Sequence, residues 1–599
     1  MRRSGLAVVL LAVMCAAGTA SLAAAVSAPP TPSGAFGKPL PAAQNEVVMS
    51  SMYIPMPDGT RMAADIYRPA KDGVALPGPF PVIYHATAAR QRMKDADDRS
   101  GAGGFSLQMI QLANHGYVYM QVERRGIAAS FGVRRGYHDR KEAADSQYLI
   151  NWAATQPWSN GKVGGFGCSN TGDAAMHFLT MPSPALKAVF AGCFNWDKYS
   201  GGLRGGILAN WGTGPQGSFE QDMRSTPVDG DGDKVLLAQA AREHAANTDL
   251  LDLWSGMPFR DSVSPLTGSR FWEEGSIGTH VDQVRASRVP VYVQGGWNDD
   301  FRGQGLIVLE NLPQPTKLII GPWGHCESGD FSMTAEALRF FDYWLKDARN
   351  GIMDEPRIHY TTANVRGAPD GHEWRTAEKW PLRPARKTRL YLGAPSRLAP
   401  NDHAFGARAP GATAAPITFK VDYEPLPCPH GNRVLGPTCP QDSKGLTFTS
   451  PVLEADTEVT GFPVADLWVS ATATDGPLFA YLEDVAPDGG ITMVSEGRLK
   501  ASLRKLGKAP YRLPDGMLWP TYLEADARPL VPGRPVRLQF DLMPVSYVFQ
   551  AGHRYRLTLT GADPREKLRA VRDPAPSWTI YRDTVHASHL VLPIVKGKP

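Results

Sequence analysis

The chain has 599 residues, 20% charged and 43% hydrophobic, with 60 glycines, 51 prolines and a formal net charge of +4. That composition describes a folded protein of several domains, about four at 150 residues each, and excludes a collagen, a coiled coil or a disordered tail. Basic residues do not concentrate anywhere after the first few positions, so nucleic acid is not the expected partner.

Met1-Arg2-Arg3, the apolar run Leu6 to Met14 and the small residues up to Ala28 have the charged, apolar and cleavage regions of a secretory signal. Residues 1–28 are predicted as a leader and 29–45 as a linker. No later run is long and apolar enough to span a bilayer, so the mature protein is expected to be exported, periplasmic or secreted, with no membrane span. Of the six cysteines, Cys15 lies in the leader; Cys168, Cys193, Cys326, Cys428 and Cys439 remain for an oxidising compartment, where an odd count leaves at least one free.

Val47 to Pro69 reads as strand, turn, strand about Asp58-Gly59, a hairpin signal. Apolar runs without polar alternation follow at Phe80 to Tyr84, Tyr117 to Val122, Val163 to Phe166, Ala188 to Ala191, Val289 to Gln294 and Lys317 to Ile320, as suits strands buried on both faces. Helical segments such as Lys141 to Thr155 alternate with them, which predicts a mostly parallel sheet wrapped by helices. The rhythm stops between Cys193 and Val289, where Asp233 to Trp254 reads as amphipathic helix. The predicted layout is therefore an α/β core in two parts, 46–194 and 288–350, with a helical cap at 195–287. After a helix from Thr334 to Lys346 comes a linker at 351–385. Residues 386–599 then turn to short strands separated by Pro/Gly turns, an all-β domain of sandwich or jelly-roll type. Within it, Cys428 and Cys439 lie in a Pro-rich stretch with no apolar periodicity, and a local disulfide is predicted. With only His430 nearby, a tetrahedral zinc set would be one ligand short.

The chemistry concentrates at Lys162-Val163-Gly164-Gly165-Phe166-Gly167-Cys168-Ser169-Asn170-Thr171-Gly172-Asp173. A buried strand runs into Gly-x-Ser and then into helix, a turn that lifts a serine oxygen above the sheet beside helix N-terminal amides able to receive an oxyanion. The usual last glycine of this elbow comes one place late, at Gly172. A serine nucleophile needs a base and a group to orient it, in the order Ser, Asp/Glu, His on such a sheet. Carboxylates Asp299 and Asp300 follow the run Val289 to Gln294, and Gly321-Pro322-Trp323-Gly324-His325 follows the next run. Asp229-Gly230-Asp231-Gly232-Asp233 opens like a calcium loop, but Lys234 and Ala240 stand at its sixth and twelfth positions, and a turn capping the next helix fits better. Cys168 and Cys326 flank Ser169 and His325 without a context that makes either a nucleophile; buried packing or pairing with Cys193 remain open.

Several stretches make the chain similar to the cocaine-esterase/X-prolyl dipeptidyl aminopeptidase (CocE/NonD) branch of α/β-hydrolases. They include Met56-Pro57-Asp58-Gly59-Thr60-Arg61, Gln156-Pro157-Trp158-Ser159-Asn160-Gly161-Lys162-Val163-Gly164, Gly295-Gly296-Trp297-Asn298-Asp299, Gly321-Pro322-Trp323-Gly324-His325, Arg339-Phe340-Phe341-Asp342-Tyr343-Trp344 and Phe549-Gln550-Ala551-Gly552-His553. The resemblance implies an α/β-hydrolase core, a helical cap over the active site and a C-terminal jelly roll. It also implies Ser169 as nucleophile, Asp299 rather than Asp300 as orienting acid, and His325 as general base. The family's oxyanion tyrosine falls at Ala89. The backbone amide of Asn170 can still donate, and the second donor is expected near Ala89, from the loop His85 to Arg90.

The resulting expectation is an exported serine hydrolase that cleaves a small carboxylic ester, or an amide, through an acyl-enzyme, needing no metal or organic cofactor. An X-prolyl dipeptidyl aminopeptidase is the alternative. Amino-acid ester hydrolases of the resemblance carry carboxylates two and three places past the acid, where this chain has Phe301 and Arg302. A catalytically weak carbohydrate- or polymer-binding protein is the alternative from another class.

Overall fold

The computed structural model describes residues 36–88, 90, 111–209, 218–380, 382, 385–396, 402–409, 411–424, 436–437, 444–563, 566 and 571–595. The predicted leader, Ala89 and the Cys428/Cys439 pair lie outside them. Among the described residues no helix is long and apolar enough to cross a membrane.

The opening hairpin is β1 (Glu46–Pro55) against β2 (Arg61–Lys71). The buried runs become β3 (Phe80–Thr87), β4 (Val118–Glu123), β5 (Ser159–Cys168), β6 (Leu186–Gly192), β7 (Val291–Gly296) and β8 (Thr316–Gly321). Their order across the sheet is β1-β2-β4-β3-β5-β6-β7-β8, parallel from β4 onward. Helix α1 (Arg140–Ala154) starts where the Asp139 carboxylate accepts the Glu142 amide at 2.9 Å, satisfying one of the free N–H groups of a first turn. Helix α2 (Asn170–His177) follows β5 directly.

Two expectations need correction. The stretch 351–385, expected as a linker, carries strands: β9 (Ile358–Ala363) extends the parallel sheet beyond β8, and β10 (His372–Ala377) pairs with β9 antiparallel. The ladder thus runs on toward the β-domain, where Ala363 pairs with Tyr547. The alternation in Ile358-His359-Tyr360-Thr361 hides a strand that is buried throughout. In the cap, the single helix expected from Asp233 to Trp254 is two, Val235–Glu243 and Leu250–Ser255. Asp249 divides them, its carboxylate accepting the amides of Leu251 and Asp252 at 2.8 and 3.1 Å, so a new helix begins there. Asp231 does the same for the first, accepting the Leu236 and Leu237 amides at 2.9 Å each, which accounts for the aspartate-glycine run without a cation.

The last domain is mainly antiparallel, with one parallel pair between Asp402–Gly406 and Leu446–Thr449. Val464–Ala471 pairs with Val536–Asp541, Ser577–Tyr581 and His589–Val595, and Pro477–Val485 lies between Ile491–Lys500 and Arg554–Thr560. It docks on the rest through shared apolar contacts: Phe462 and Tyr511 belong to the same buried cluster as Trp196 after β6 and Trp297 after β7.

Core and cap are also joined by a buried charge. Arg90 reaches Asp65 in β2 at 2.6 Å, Glu123 at the end of β4 at 3.3 Å and the cap carbonyl of Thr226 at 2.5 Å. Replacing Arg90 by Met would take the guanidinium away from two buried carboxylates. We expect a loss of about 3–5 kcal/mol of stability, read as a lower urea midpoint with unchanged slope.

Candidate active site

The sheet brings four chain segments to one edge. Ser169 follows β5, Cys193 follows β6, Asp299 lies just past β7 and His325 just past β8, at the carboxyl ends of four adjacent parallel strands, the place where such sheets bind ligands.

Ser169 has φ 60 and ψ −129, a left-handed conformation sparsely populated by residues with a Cβ. Its amide donates to Gly192 O at 2.9 Å and its carbonyl accepts the Asp173 amide at 2.8 Å. Thr171, standing where a glycine is usual, closes the turn, its Oγ1 accepting from the Cys168 amide at 2.9 Å and donating to the Cys168 carbonyl at 2.8 Å. The late Gly172 packs on β6: a Cβ there would sit 2.3 Å from Gly192 O, and one at Gly167 would sit 2.0 Å from Thr171 O.

The Asp299 and His325 turns are bonded to each other. Trp297 N donates to Gly321 O at 2.9 Å, Asn298 N to Trp323 O at 2.9 Å, and Asn298 Nδ2 to Pro322 O at 3.0 Å, which explains why the two Trp-containing motifs occur together. His325 Nδ1 lies 2.9 Å from Asp299 Oδ1. Asp299 is buried, whereas the His325 side chain is 43% exposed. Asp300 points elsewhere, 3.6 Å from Arg204. Burial opposes the imidazolium of His325, but the hydrogen bond and charge of Asp299, with Asp300 and Asp173 beyond, outweigh it and raise the pKa above its ordinary value. The Phe301 ring packs on the imidazole at 5.3 Å.

Asn170 begins α2, so its amide belongs to the first turn, where N–H groups have no acceptor within the helix. A buried network fixes this residue. Arg124 Nη2 donates to Asn170 Oδ1, His138 Nε2 donates to Asn170 O at 2.7 Å, and Lys198 Nζ donates to His138 Nδ1 at 2.9 Å and to Asp173 Oδ2 at 2.7 Å. Burial first, then the Lys198 and Arg124 charges, hold His138 neutral, its pKa well below the ordinary value. Of the two side chains expected to supply a second oxyanion donor, His85 keeps Nε2 without a hydrogen-bond partner among the described residues, whereas Arg90 is engaged. His85 is buried against the Tyr119 hydroxyl, and Arg90 is committed to Asp65 and Glu123.

The sequence left the three core cysteines unresolved; Cys168 and Cys326 are joined by a disulfide, and Cys193 is a buried thiol. Cys193 Sγ, an Asp299 oxygen and a His325 nitrogen lie within 4.8 Å of one another. Burial, and then the charge and hydrogen bonding of Asp299, push the Cys193 thiol well above its ordinary pKa. Beside the Asp299 turn, at the meeting of core, cap and β-domain, is a cavity of about 110 Å³ lined in part by Arg204, Asp300, Gln304, Phe462 and Trp519.

The chain is similar to known proteins over most of its length. Residues 58–327 match the model of the X-Pro dipeptidyl-peptidase (S15 family), and residues 350–577 that of the X-Pro dipeptidyl-peptidase C-terminal non-catalytic domain. A Mycobacterium bovis protein named provisionally as a serine esterase is 32% identical, the match covering 91% of this chain and 95% of its own. The cocaine esterase of a Rhodococcus species is 26% identical over 92% of this chain and 99% of its own. In three dimensions a CocE/NonD family hydrolase from Staphylococcus aureus superposes with a TM-score of 0.70 at 20% identity, covering 92% and 94% of the two chains. An α-amino acid ester hydrolase does so at 0.69 and 18% identity, covering 96% and 100%. These last two share the fold: an α/β-hydrolase core with a helical cap and a C-terminal jelly roll.

The elbow's dependence on small residues is open to test. Because the atom facing Gly172 is a backbone carbonyl that cannot swing away, Gly172→Ala should displace the turn. We expect a cost of about 1–3 kcal/mol in thermal unfolding and roughly a hundredfold loss of ester hydrolysis from a misplacement on the scale of 1 Å.

Proposed function

The chain belongs to the cocaine-esterase/X-Pro dipeptidyl-peptidase (S15) family of serine hydrolases, and from that premise we propose an exported enzyme that cleaves small carboxylic esters through Ser169, His325 and Asp299. The observation that carries this reading is the His325–Asp299 hydrogen bond of 2.9 Å at the same sheet edge as a serine with a left-handed backbone. With Nδ1–H given to Asp299, His325 presents Nε2 as the base. It takes the Ser169 proton as Oγ attacks the ester carbonyl, then gives that proton to the leaving alcohol as the tetrahedral intermediate collapses to an acyl-enzyme. Water enters by the same steps in reverse order and releases the acid. The oxyanion is held by the Asn170 amide together with a second donor from the segment His85 to Arg90.

Ester is favoured over aminopeptidase substrate because the positions two and three places past the acid are Phe301 and Arg302, which offer no carboxylate to a substrate ammonium. Asp300 has Arg204 beside it, and Arg302 is buried with Nη1 on Trp297 O. The peptidase reading keeps the support of the family models, and hydrolysis of a p-nitrophenyl ester against an X-Pro p-nitroanilide separates the two. Export is supported by the leader and by the disulfide, which suits an oxidising compartment.

Ser169→Ala should abolish ester hydrolysis and fluorophosphonate labelling while the fold persists; hydrolysis near the wild-type rate would refute the assignment. Asp299→Asn should lower kcat by about 10⁴, and Asp300→Asn should not. The neutral imidazole is the active form, so kcat/KM should fall as pH falls through the His325 pKa. Because that pKa is raised, the acid limb should lie above the ordinary imidazole value of about 6.5. Removing the Asp299 charge should move the limb to lower pH.

A further inference from the structure

Cys168 is the residue before Ser169, and Cys326 is the residue after His325. The two are bonded, with Cα atoms 6.0 Å apart. The strands they end, β5 and β8, are not neighbours, since β6 and β7 lie between them. Ladder hydrogen bonds thus couple the serine turn to the histidine turn only through two intervening strands, and the disulfide is the direct covalent link.

The histidine turn is tied to the Asp299 turn through Trp323 O and Pro322 O, and the disulfide adds its tie to the serine turn. The imidazole is held by a single hydrogen bond, to Asp299, and by packing on Phe301. Cys326 itself has a left-handed backbone, φ 58. Apart from the disulfide, its amide donates to Cys193 Sγ at 3.4 Å. Cys193, also left-handed at φ 50, follows β6, one of the two strands between, and the three sulfur atoms lie within 4.8 Å of one another.

We propose that the Cys168–Cys326 disulfide is a positioning element of the reaction that sets the approach of Ser169 to His325, with Cys193 kept as a thiol so that the bridge stays in this pairing. The proposal rests on the reading of Ser169 and His325 as nucleophile and base. Proton transfer between them needs heavy atoms about 2.6–3.2 Å apart, and 1 Å of drift costs on the order of a hundredfold. A bond joining their immediate neighbours restrains that distance more tightly than the flanking turns can. Cys193 could displace the bridge by attacking either sulfur as a thiolate, forming a new S–S bond and releasing the other sulfur, which would take up the proton Cys193 had lost. No oxidant is consumed; burial of Cys193 and the Asp299 charge beside it disfavour the thiolate the exchange needs.

The test compares oxidised wild type with Cys168→Ala/Cys326→Ala, well below both melting temperatures and with circular dichroism confirming the fold. We expect kcat to fall about tenfold or more with KM within about twofold, and fluorophosphonate labelling of Ser169 to slow by the same factor. A clamp that served only stability would lower the melting temperature and leave both rates unchanged, which would overturn the proposal while the hydrolase reading stood. No labelling of Ser169 in oxidised wild type would overturn that reading and the proposal with it. Should the double variant fail to fold, folded wild type reduced by a phosphine, which takes its oxygen from water as the disulfide becomes two thiols, gives the same comparison. Reoxidation with oxidised glutathione should then restore the rate. Peptide mapping that found Cys193 in the bridge would also refute the pairing argued here.

Discussion

A residue with a Cβ held at φ 60 and ψ −129 is strained by on the order of 1–3 kcal/mol, and the surroundings of Ser169 are arranged to keep it there. Gly192 O takes its amide, Thr171 ties the turn to Cys168, and the absence of side chains at Gly167 and Gly172 lets α2 begin against the neighbouring strand. The constraint is local in sequence but not in cause. It works only because β6 is already beside β5, and β6 stays there because β7 and β8 continue the parallel sheet. The turns that carry Asp299 and His325 lie at the ends of those same strands, so sheet formation and site assembly are one event.

Much of this was legible in the sequence because the relevant signals are short-range. Buried strands show as unbroken apolar runs, and Ser169, Asp299 and His325 each follow such a run within a few residues. The strand β9 was not legible, since Ile358-His359-Tyr360-Thr361 alternates in polarity although every residue of β9 is buried. Its polar side chains are covered by packing, and local patterning cannot report that. The split cap helix was missed for a different reason: the apolar spacing of Leu236, Leu237, Leu250 and Leu251 continues across a break that only the capping carboxylate of Asp249 marks.

The cap is tied down by charge as well as by apolar packing. Arg90 serves Asp65, Glu123 and the Thr226 carbonyl, Arg260 reaches Asp197 at 2.6 Å while lying over Trp519 of the β-domain at 4.1 Å, and Arg204 pairs with Glu496 at 2.7 Å. Guanidinium groups suit such junctions because one planar fork can satisfy several acceptors while its face stacks on a ring. Groups of this kind give a sequence no periodicity, which is why the expected donor Arg90 turned out to be a structural tie.

The same limit applies to the oxyanion side of the site. Arg124, His138, Lys198 and Asp173 come from four separate segments, and nothing in their spacing announces that they meet beneath Asn170. Their arrangement nevertheless has a chemical logic. A neutral His138 donates from Nε2 to the Asn170 carbonyl and accepts from Lys198 at Nδ1, so one ring passes the orientation of a buried lysine on to the peptide that follows Ser169. Lys198 in turn is fixed by Asp173, a residue of α2 itself. The loop closes on the helix whose first amide would receive the oxyanion, so the donor is rigid before any substrate arrives. Preorganisation of this kind is what makes a single backbone N–H effective at a developing charge.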